Sequence, residues 1–493
     1  MTQTRSSRRL RLFSTQLGRV LIIAVSLLAC KSGAADLPPA TQKALRAAGV
    51  PASAVAAWVQ EIGSARPTIA IRPDAPMNPA STMKLLTTYA ALELLGPAYR
   101  WKTEAYLDGE NLVLRGTGDP KLNYESFWML LRNLRGRGLR DLRGDLVLDR
   151  SYFGPTQYGP FDSDTFRPYN VAPDALLVNF RSLRFTFVPE GDNAVRVFAE
   201  PALPGMEIVN SLKLGGGPCP DGTRAFREAV QASFQSQPPR ASFVGTYPVA
   251  CGERELNVAL HESSDYLGGL VHQLWAEMGG SWSGKVREGS ASPGARLVYV
   301  HESEPLAEVV RDINKFSNNV MARQLFLTIG AERSGPPARP EESARVIRDW
   351  MVAKKIRAPE LVLENGSGLS RVERISAQHL AALLQAAWRS PVMPEFASSL
   401  PIVAADGTMK KRLHGGGVAG SAHIKTGLLS DARAIAGYVL DRTGRRQVVV
   451  MIINHPRAHE TEAAMDALLE WIYEAKAPAR ATTNRPGSSP QRP

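Results

Sequence analysis

Ser81 and Lys84 stand three positions apart at the start of an apolar segment, and a helix there places both side chains on one face. Pro79 and Ala80 precede the serine, as is typical of a helix start, and Gly96 ends the run. The segment is therefore predicted to be a helix with the serine at its N-terminus, where free backbone N–H groups favour negative charge. The apolar positions at helical spacing are Met83, Leu85, Leu86, Tyr89, Ala90 and Leu94.

This pairing can turn a hydroxyl into a nucleophile without a histidine. Burial or a neighbouring cation lowers the pKa of a lysine, and the neutral amine can then take the serine proton. The pattern predicts acyl-transfer chemistry. The alternative is an ordinary amphipathic helix with Ser81 in its first turn and Lys84 on its solvent side.

Two further motifs decide between these interpretations. Ser317-Asn318-Asn319 separates two helical runs, Leu306 to Ile313 and Val320 to Ile329, and Lys425-Thr426-Gly427 lies on a predicted strand. Taken singly, the first motif can be a helix cap and the lysine a surface charge at a strand end. Together they give the order S-x-x-K, S-x-N, K-T-G, which is that of penicillin-binding proteins and serine β-lactamases.

The first two motifs supply the predicted catalytic residues. Ser81 is expected to attack the substrate carbonyl, with Lys84 as the base for acylation. Ser317 is expected to relay a proton to the leaving amine, and Asn319 to bind the substrate amide.

The third motif supplies predicted substrate contacts. We expect Lys425 and Thr426 to hold the substrate carboxylate and Gly427 to let the substrate lie close to the strand. The oxyanion is expected between the backbone N–H groups of Ser81 and Leu428.

The 236 positions between Ser81 and Ser317 exceed what a compact β-lactamase needs. From about residue 40 to 475 the chain resembles the class C low-molecular-mass penicillin-binding proteins. These are the D-alanyl-D-alanine carboxypeptidase/endopeptidases related to penicillin-binding protein 4, peptidase family S13. The supporting motifs are Gly118-Asp119-Pro120, Asn365-Gly366-Ser367-Gly368-Leu369-Ser370-Arg371 and Asp406-Gly407-Thr408.

The resemblance implies hydrolysis of the D-Ala-D-Ala terminus of peptidoglycan stem peptides, cleavage of cross-links between them, and acylation by β-lactam antibiotics. It implies no metal and no cofactor. It also implies an α/β (α+β) penicillin-binding/β-lactamase-like transpeptidase fold, an antiparallel sheet flanked by helices, with two inserted β-rich domains.

The character of the chain changes where these insertions are expected. Short apolar runs separated by Gly, Pro and Asp fill residues 106–287, with little sign of long helices. The predicted organisation is a catalytic domain split into 36–105 and 288–475, with inserted domains II and III at 106–287. Strands Ala434 to Leu440 and Gln447 to Ile453 are expected to form a hairpin.

The resemblance also implies contacts to the diamino acid of the stem peptide. Arg371 is expected to touch that side chain, and Asp164 to contribute from the inserted region, with Asp162 as the alternative for the same position. Arg371 can otherwise be a turn-stabilising surface arginine. The chain departs from the family at Leu428, where a small hydroxyl residue is commoner, and at Asn365, where aspartate often stands.

Residues 1–35 predict a signal peptide, with a basic start, an apolar core from Val20 to Ala29 too short to span a bilayer, and small residues before the cleavage site. Leu27-Leu28-Ala29-Cys30 also resembles a lipoprotein cleavage box, in which Cys30 would be lipidated and membrane-associated. Both interpretations place the protein outside the cytoplasm, and we expect it in the periplasm.

The formal net charge of +12 is concentrated at the chain ends. Residues 1–35 carry six positive charges and 476–493 carry four, with no acidic residue in either segment, so the body carries only +2. That balance gives no support to nucleic-acid binding. The basic tail at 476–493 is predicted to be disordered.

Cys219 and Cys251 are the cysteines outside the leader. In an oxidising compartment such a pair is expected to form a disulfide, and two separate buried thiols are the alternative.

Three other functions are less consistent with the sequence. A serine β-lactamase needs a dedicated base for deacylation, and the sequence offers no convincing candidate. A metal peptidase is disfavoured because Pro456 lies between His455 and His459 and no H-E-x-x-H motif is present. A non-catalytic wall-binding module predicts the loss of at least one motif residue, and all of them are present.

Overall fold

A computed structural model of the protein describes residues 36–155 and 159–474. The predicted signal peptide, Cys30 and the predicted basic tail lie outside these residues. The helices are α1 (Pro39–Ala47), α2 (Lys84–Leu95), α3 (Tyr124–Gly136), α4 (Gly222–Ala229), α5 (Ser263–Glu277), α6 (Leu306–Phe316), α7 (Asn319–Ser334), α8 (Pro340–Ala353), α9 (Ala377–Trp388), α10 (Met393–Ser398) and α11 (Glu462–Glu474). The strands are β1 (Val55–Glu61), β2 (Ile69–Ile71), β3 (Lys102–Asp108), β4 (Asn111–Gly116), β5 (Asp141–Leu142), β6 (Leu146–Asp149), β7 (Leu183–Glu190), β8 (Ala194–Glu200), β9 (Glu207–Gly215), β10 (Ser233–Gln235), β11 (Arg240–Pro248), β12 (Arg254–Val258), β13 (Ser281–Trp282), β14 (Val286–Glu288), β15 (Arg296–Glu302), β16 (Ala422–Leu428), β17 (Ala432–Leu440) and β18 (Arg446–Asn454).

One antiparallel sheet joins the two ends of the described chain, in the order β16-β17-β18-β1-β2. The predicted hairpin is confirmed as β17 and β18. Its turn is held by Asp441, whose Oδ1 accepts hydrogen bonds from the N–H groups of Thr443 and Arg445. Because seven consecutive residues of β18 are buried, the strand is apolar on both faces, as expected of a sheet covered on both sides.

Helices cover both faces of this sheet. A large core that includes residues of α2, α6, α7, α8, α9 and α10 packs on one face, and α1 and α11 pack on the other. The predicted α+β fold with an antiparallel sheet flanked by helices is confirmed. Its consequence for the site is that β16, α2 and the junction of α6 and α7 meet at one edge.

The residues between α2 and α6 form two further large sheets, ordered β14-β6-β4-β3-β15 and β10-β11-β9-β8-β7-β12. They share one hydrophobic core with α3 and α5. The expectation of little helix here was wrong, because α3 buries Phe127, Leu130, Leu131 and Leu134 at helical spacing. The predicted limits of 106 and 287 fall inside the first sheet, in which β3 pairs with β15. The division into domains II and III stays a prediction.

The predicted Cys219–Cys251 disulfide is confirmed. It ties the segment before α4 to the turn before β12 and closes a loop of 32 residues in sequence separation. In the described part of the chain, no helix has the length and apolar character that a membrane span requires.

Candidate active site

Ser81 lies in a 3₁₀ turn, Ala80–Met83, that leads directly into α2. Ala80 is fully buried with a left-handed φ of 46°, so the backbone is sharply bent just before Ser81. Asn78 holds this bend, because its Oδ1 accepts from Ala80 N–H at 2.9 Å and its Nδ2 donates to the Ser370 carbonyl at 2.9 Å. Asn454 at the end of β18 in turn bonds both backbone groups of Asn78.

Lys84 is the first residue of α2 and its side chain is fully buried. Its Nζ lies 3.0 Å from Ser81 Oγ and 2.6 Å from Asn319 Oδ1, and it also donates to the Ser367 carbonyl oxygen. The helix start therefore brings the predicted pair into hydrogen-bonding contact.

The surroundings of Lys84 favour its neutral amine. Burial lowers the pKa of Lys84 well below its ordinary value, because the ammonium is removed from water. The positive charges of Lys425 and Arg323 lower this pKa further, and the Glu373 carboxylate opposes them. An unprotonated lysine at 3.0 Å from a serine hydroxyl has the geometry and the proton affinity of a general base.

Ser317 and Asn319 come from the junction between α6 and α7. Ser317 ends α6 with a left-handed φ of 56°, and Asn319 is the first residue of α7. The helix cap is supplied by Asn318 between them, whose side chain accepts from Met321 N–H. Ser317 and Asn319 are thus left to face Lys425 and Lys84, respectively.

The end of α6 is anchored by Lys315, a buried residue. Its Nζ donates to Asp406 Oδ2 at 2.6 Å and to the Leu400 carbonyl at 2.7 Å. The Asp406-Gly407-Thr408 motif therefore supports the turn that carries Ser317.

Lys425 on β16 completes the cluster. Its Nζ lies 2.9 Å from Ser317 Oγ and 2.8 Å from the Thr426 carbonyl. Burial lowers the pKa of Lys425 to about 7. The Thr426 hydroxyl is bonded to that of Thr408 at 2.8 Å.

Gly427 packs tightly against the turn that carries Ser81, whereas the sequence pattern predicted close packing against the substrate. A Cβ at this position would lie 2.8 Å from the Pro79 carbonyl oxygen and 3.0 Å from Ser81 N. The glycine thus lets β16 approach the turn that carries Ser81, which is a role that the sequence pattern did not suggest. Leu428, the next residue, exposes 57% of its surface at the mouth of the site.

The residues predicted to contact the diamino acid lie near one another. The Arg371 guanidinium stacks over the Phe161 ring at 4.7 Å from its centroid. Asp164 is paired with Arg167 at 2.6 Å and with Arg227, whereas Asp162 accepts from the neutral groups of Tyr169 and Asn170. The substrate roles of Arg371 and Asp164 stay predictions.

A groove of about 1150 Å³ opens beside Ser317 and Asn319. Its other wall is formed by residues between α2 and α6, among them Phe180 and Glu200, while Phe316, 66% exposed, lies on the side of Ser317.

Three contributors to the site are not among the residues predicted to act in catalysis or substrate binding. These are the Ser367 carbonyl, the Glu373 carboxylate and the Arg323 guanidinium, all of which act on Lys84. Arg323 lies one helical turn after Asn319 on α7. Residues at this spacing share a helix face, so the sequence could have indicated that Arg323 lies near the site. Within residues 36–155 and 159–474, no cluster of His, Cys, Asp or Glu is arranged to hold a metal ion.

Comparison with known proteins gives one consistent family. Residues 41–474 match the D-Ala-D-Ala carboxypeptidase 3 (S13) family. The chain is 28% identical over 404 residues to the D-alanyl-D-alanine carboxypeptidase of Actinomadura sp. strain R39, covering 76% of this chain and 73% of that protein. It is 25% identical over 404 residues to the D-alanyl-D-alanine carboxypeptidase DacB of Haemophilus influenzae, covering 77% and 80%.

A solved structure shows the same fold. The crystal structure of penicillin-binding protein 4 (dacB) from Haemophilus influenzae superposes with a TM-score of 0.72 at 20% identity, over 88% of this chain and 99% of that one. Because the family match spans most of the sequence, the chain belongs to the D-Ala-D-Ala carboxypeptidase 3 (S13) family and is a serine-type hydrolase.

Proposed function

We propose that the protein hydrolyses the terminal D-alanyl-D-alanine bond of peptidoglycan stem peptides through an acyl intermediate on Ser81. The observation that carries the proposal is the buried Lys84 Nζ at 3.0 Å from Ser81 Oγ, in surroundings that favour the neutral amine. Family membership and the two carboxypeptidase relatives support the same reaction.

The acylation step follows from these contacts. Ser81 Oγ bonds to the carbonyl carbon while its proton moves to Lys84 Nζ. The backbone N–H groups of Ser81 and Leu428 stabilise the oxyanion, each worth about 3 kcal/mol of the barrier. The C–N bond then breaks, and the departing D-alanine amine receives a proton by way of Ser317, which Lys425 bonds at 2.9 Å. Water completes the cycle by hydrolysing the Ser81 ester.

Substrate binding uses the remaining groups. The Lys425 ammonium and the Thr426 hydroxyl bind the terminal carboxylate, and Asn319 binds the peptide amide. Arg371 and either Asp164 or Asp162 receive the diamino acid. Asp164 is already neutralised by two arginines, which makes Asp162 the stronger candidate for an ammonium group.

Cleavage of cross-links between stem peptides is a second proposed activity. The observation that favours it is the groove of about 1150 Å³ beside Ser317 and Asn319, which has room for a second peptide. We also propose that the enzyme works in the periplasm, since the Cys219–Cys251 disulfide fits an oxidising compartment.

A fluorescent penicillin tests the central proposal. The native protein and a Ser334→Ala control, changed at the exposed end of α7, are expected to take up the label covalently, and Ser81→Ala is expected to take up none. Unlabelled native protein, or labelled Ser81→Ala, would refute the acyl-Ser81 intermediate.

Two substrates separate the candidate activities. Release of D-alanine from a stem pentapeptide without turnover of a chromogenic cephalosporin is expected of a peptidase. Rapid cephalosporin turnover without D-alanine release would identify a β-lactamase instead. A cross-linked peptide dimer, tested beside the pentapeptide, measures the second proposed activity.

A further inference from the structure

Glu373 is a buried carboxylate at the centre of the turn formed by residues 364–373, with no exposed surface. Its Oε1 accepts from the backbone N–H groups of Glu364 at 3.1 Å, Asn365 at 2.9 Å and Gly366 at 2.8 Å. Its Oε2 accepts from Gly368 N–H at 2.9 Å. One side chain thus binds four of the five backbone amides of residues 364–368, all but that of Ser367.

The hydrogen-bond pattern is that of an ionised carboxylate. Burial raises the pKa of Glu373, and the amide hydrogen bonds oppose that rise. In the described residues, each hydrogen bond found at the Glu373 carboxyl comes from an N–H donor, so both oxygens act as acceptors. In a protonated Glu373, the carboxyl O–H would have to point toward one of these backbone N–H donors, which cannot accept it.

The turn that Glu373 organises touches both members of the catalytic pair. The Ser367 carbonyl accepts from Lys84 Nζ. Gly368, with φ of 78°, packs so closely on the Ala80 carbonyl that a Cβ there would collide with it. The Gly366 carbonyl accepts from Thr87 Oγ1 at 2.6 Å, which fixes the turn to α2 one helical turn beyond Lys84.

We propose that Glu373 is a positioning residue for the Ser81–Lys84 pair: its carboxylate binds the amides on both sides of Ser367 and so presents the Ser367 carbonyl to Lys84. The inference rests on the proposed function, because it assumes that Lys84 acts on Ser81. It assigns a task to a residue that contacts neither the substrate nor Ser81.

The charge of Glu373 has a second effect on Lys84. The groups that face Lys84 are Lys425 from β16, Arg323 from α7 and Glu373 from the turn, and Glu373 is the negative one among them. Replacing the carboxylate by a neutral group removes a charge that favours the lysine ammonium. The pKa of Lys84 then falls, and the acid limb of acylation, where Lys84 becomes protonated, moves to lower pH.

The test is the rate of acylation by fluorescent penicillin from pH 5 to 9 in Glu373→Gln. Glutamine preserves the shape but turns an NH₂ group toward one or more of the amide donors. We expect acylation at pH 7 to fall by about 10- to 100-fold, the scale of a charge-assisted hydrogen bond. We also expect the acid limb to move to lower pH.

Two further variants control the result. Glu373→Asp keeps the charge but is one methylene shorter, so its rate is expected to fall by about 10-fold, one charge-assisted hydrogen bond, with the acid limb at the native pH. Glu360→Gln removes a carboxylate that bonds Ser376 and His379 at the start of α9, away from Lys84, and is expected to keep the native rate and pH profile.

Thermal unfolding of each variant separates a folding defect from a positioning defect. If Glu373→Gln does not fold, the acylation rate of Glu373→Asp decides whether Glu373 positions the Ser81–Lys84 pair. Acylation of folded Glu373→Gln or Glu373→Asp within about twofold of the native rate, a difference below 1 kcal/mol, would overturn the inference. So would a loss of rate in Glu373→Gln with an unmoved acid limb. Because the native protein and Ser81→Ala are assayed in parallel, failure of this inference is distinguishable from failure of the acyl-Ser81 proposal.

Discussion

Two buried lysines define the chemistry at the scale of single residues. Lys84 serves the proposed mechanism only when it is neutral, and Lys425 serves it only when it is charged. Both are fully buried, but the positive charge of Lys425 adds to the pKa depression of Lys84. The site therefore uses one lysine to help keep the other unprotonated.

Replacing Lys84 by methionine tests whether the Lys84 amine acts as the base. Lys84→Met removes the amine but fills similar space, so acylation is expected to fall by about 10²- to 10⁴-fold, the contribution of a general base. The measurement is the rate of labelling by fluorescent penicillin. Lys354→Met, which breaks an ion pair with Glu93 far from the site, is the matched control and is expected to keep the native rate. Equal rates in the two variants would exclude Lys84 as the base.

The pKa of about 7 at Lys425 predicts a loss of activity on the alkaline side. The Lys425 ammonium, which is proposed to bind the substrate carboxylate, is present below this pKa and is lost as the pH rises through it. We therefore expect kcat/KM for a stem pentapeptide to decline above about pH 7, since this parameter reports groups of the free enzyme.

Lys425→Arg provides the comparison for this pH effect. Arginine stays protonated throughout the range, so the decline above pH 7 is expected to disappear even if the maximal rate is lower. The measurement is kcat/KM for D-alanine release from pH 5 to 9. An identical alkaline limb in Lys425→Arg would assign the titration to another group.

The motif residues could be predicted from the sequence because each motif sits on the element that its chemistry needs. Ser81 opens a helix, Ser317 lies between two helices, and Lys425 lies on a strand. Glu373 and Asn78 could not be predicted in the same way. Both side chains bind backbone groups of residues that are not adjacent in the chain, and a sequence does not show which backbone groups the folded chain brings next to a given side chain.

At the scale of elements, two glycines let other segments of the chain approach the Ser81 turn closely. β16 reaches the Ser81 turn at Gly427, and the 364–373 turn reaches it at Gly368. Ser81 is thus held between a strand and a turn by close packing at these two glycines. A side chain at either glycine would push one of these elements away.

Gly368→Ala tests this packing. The added Cβ meets the Ala80 carbonyl and the residue must keep a φ of 78°, so both stability and acylation are expected to fall. Gly420→Ala is the matched control, because Gly420 has a similar φ of 73° with nothing within 4 Å of its Cβ. It is expected to cost only about 1 kcal/mol of backbone strain and to keep the native acylation rate.

The measurements for this pair are thermal unfolding and the rate of penicillin labelling. A Gly368→Ala variant that matches Gly420→Ala in both would show that the turn does not support the nucleophile.

At the scale of the whole molecule, the catalytic fold is assembled from distant parts of the chain. β1 and β2 precede the Ser81 helix, whereas β16, β17 and β18 follow an interval of more than 300 residues, yet all five form one sheet. The β17–β18 hairpin could be predicted from the sequence, because two apolar runs lie on either side of a short turn. The pairing of β15 with β3 could not be predicted, because the two strands are far apart in the chain and a sequence does not show which distant strands pair.

The disulfide lies in the part of the chain between α2 and α6. Its removal tests whether that part of the chain affects the rate of acylation at Ser81. Cys219→Ser with Cys251→Ser opens a loop of 32 residues in sequence separation, which is expected to cost about 2–4 kcal/mol of the free energy of unfolding. Neither cysteine lines the groove, and among the described residues no hydrogen bond joins the disulfide to Ser81 or Lys84. Acylation of the folded double variant by penicillin is therefore expected to stay within about twofold of the native rate, or 0.4 kcal/mol in the barrier. Denaturant unfolding and penicillin labelling of the same preparation measure both quantities, and a large loss of labelling at full folding would show that the inserted sheets act on the nucleophile itself.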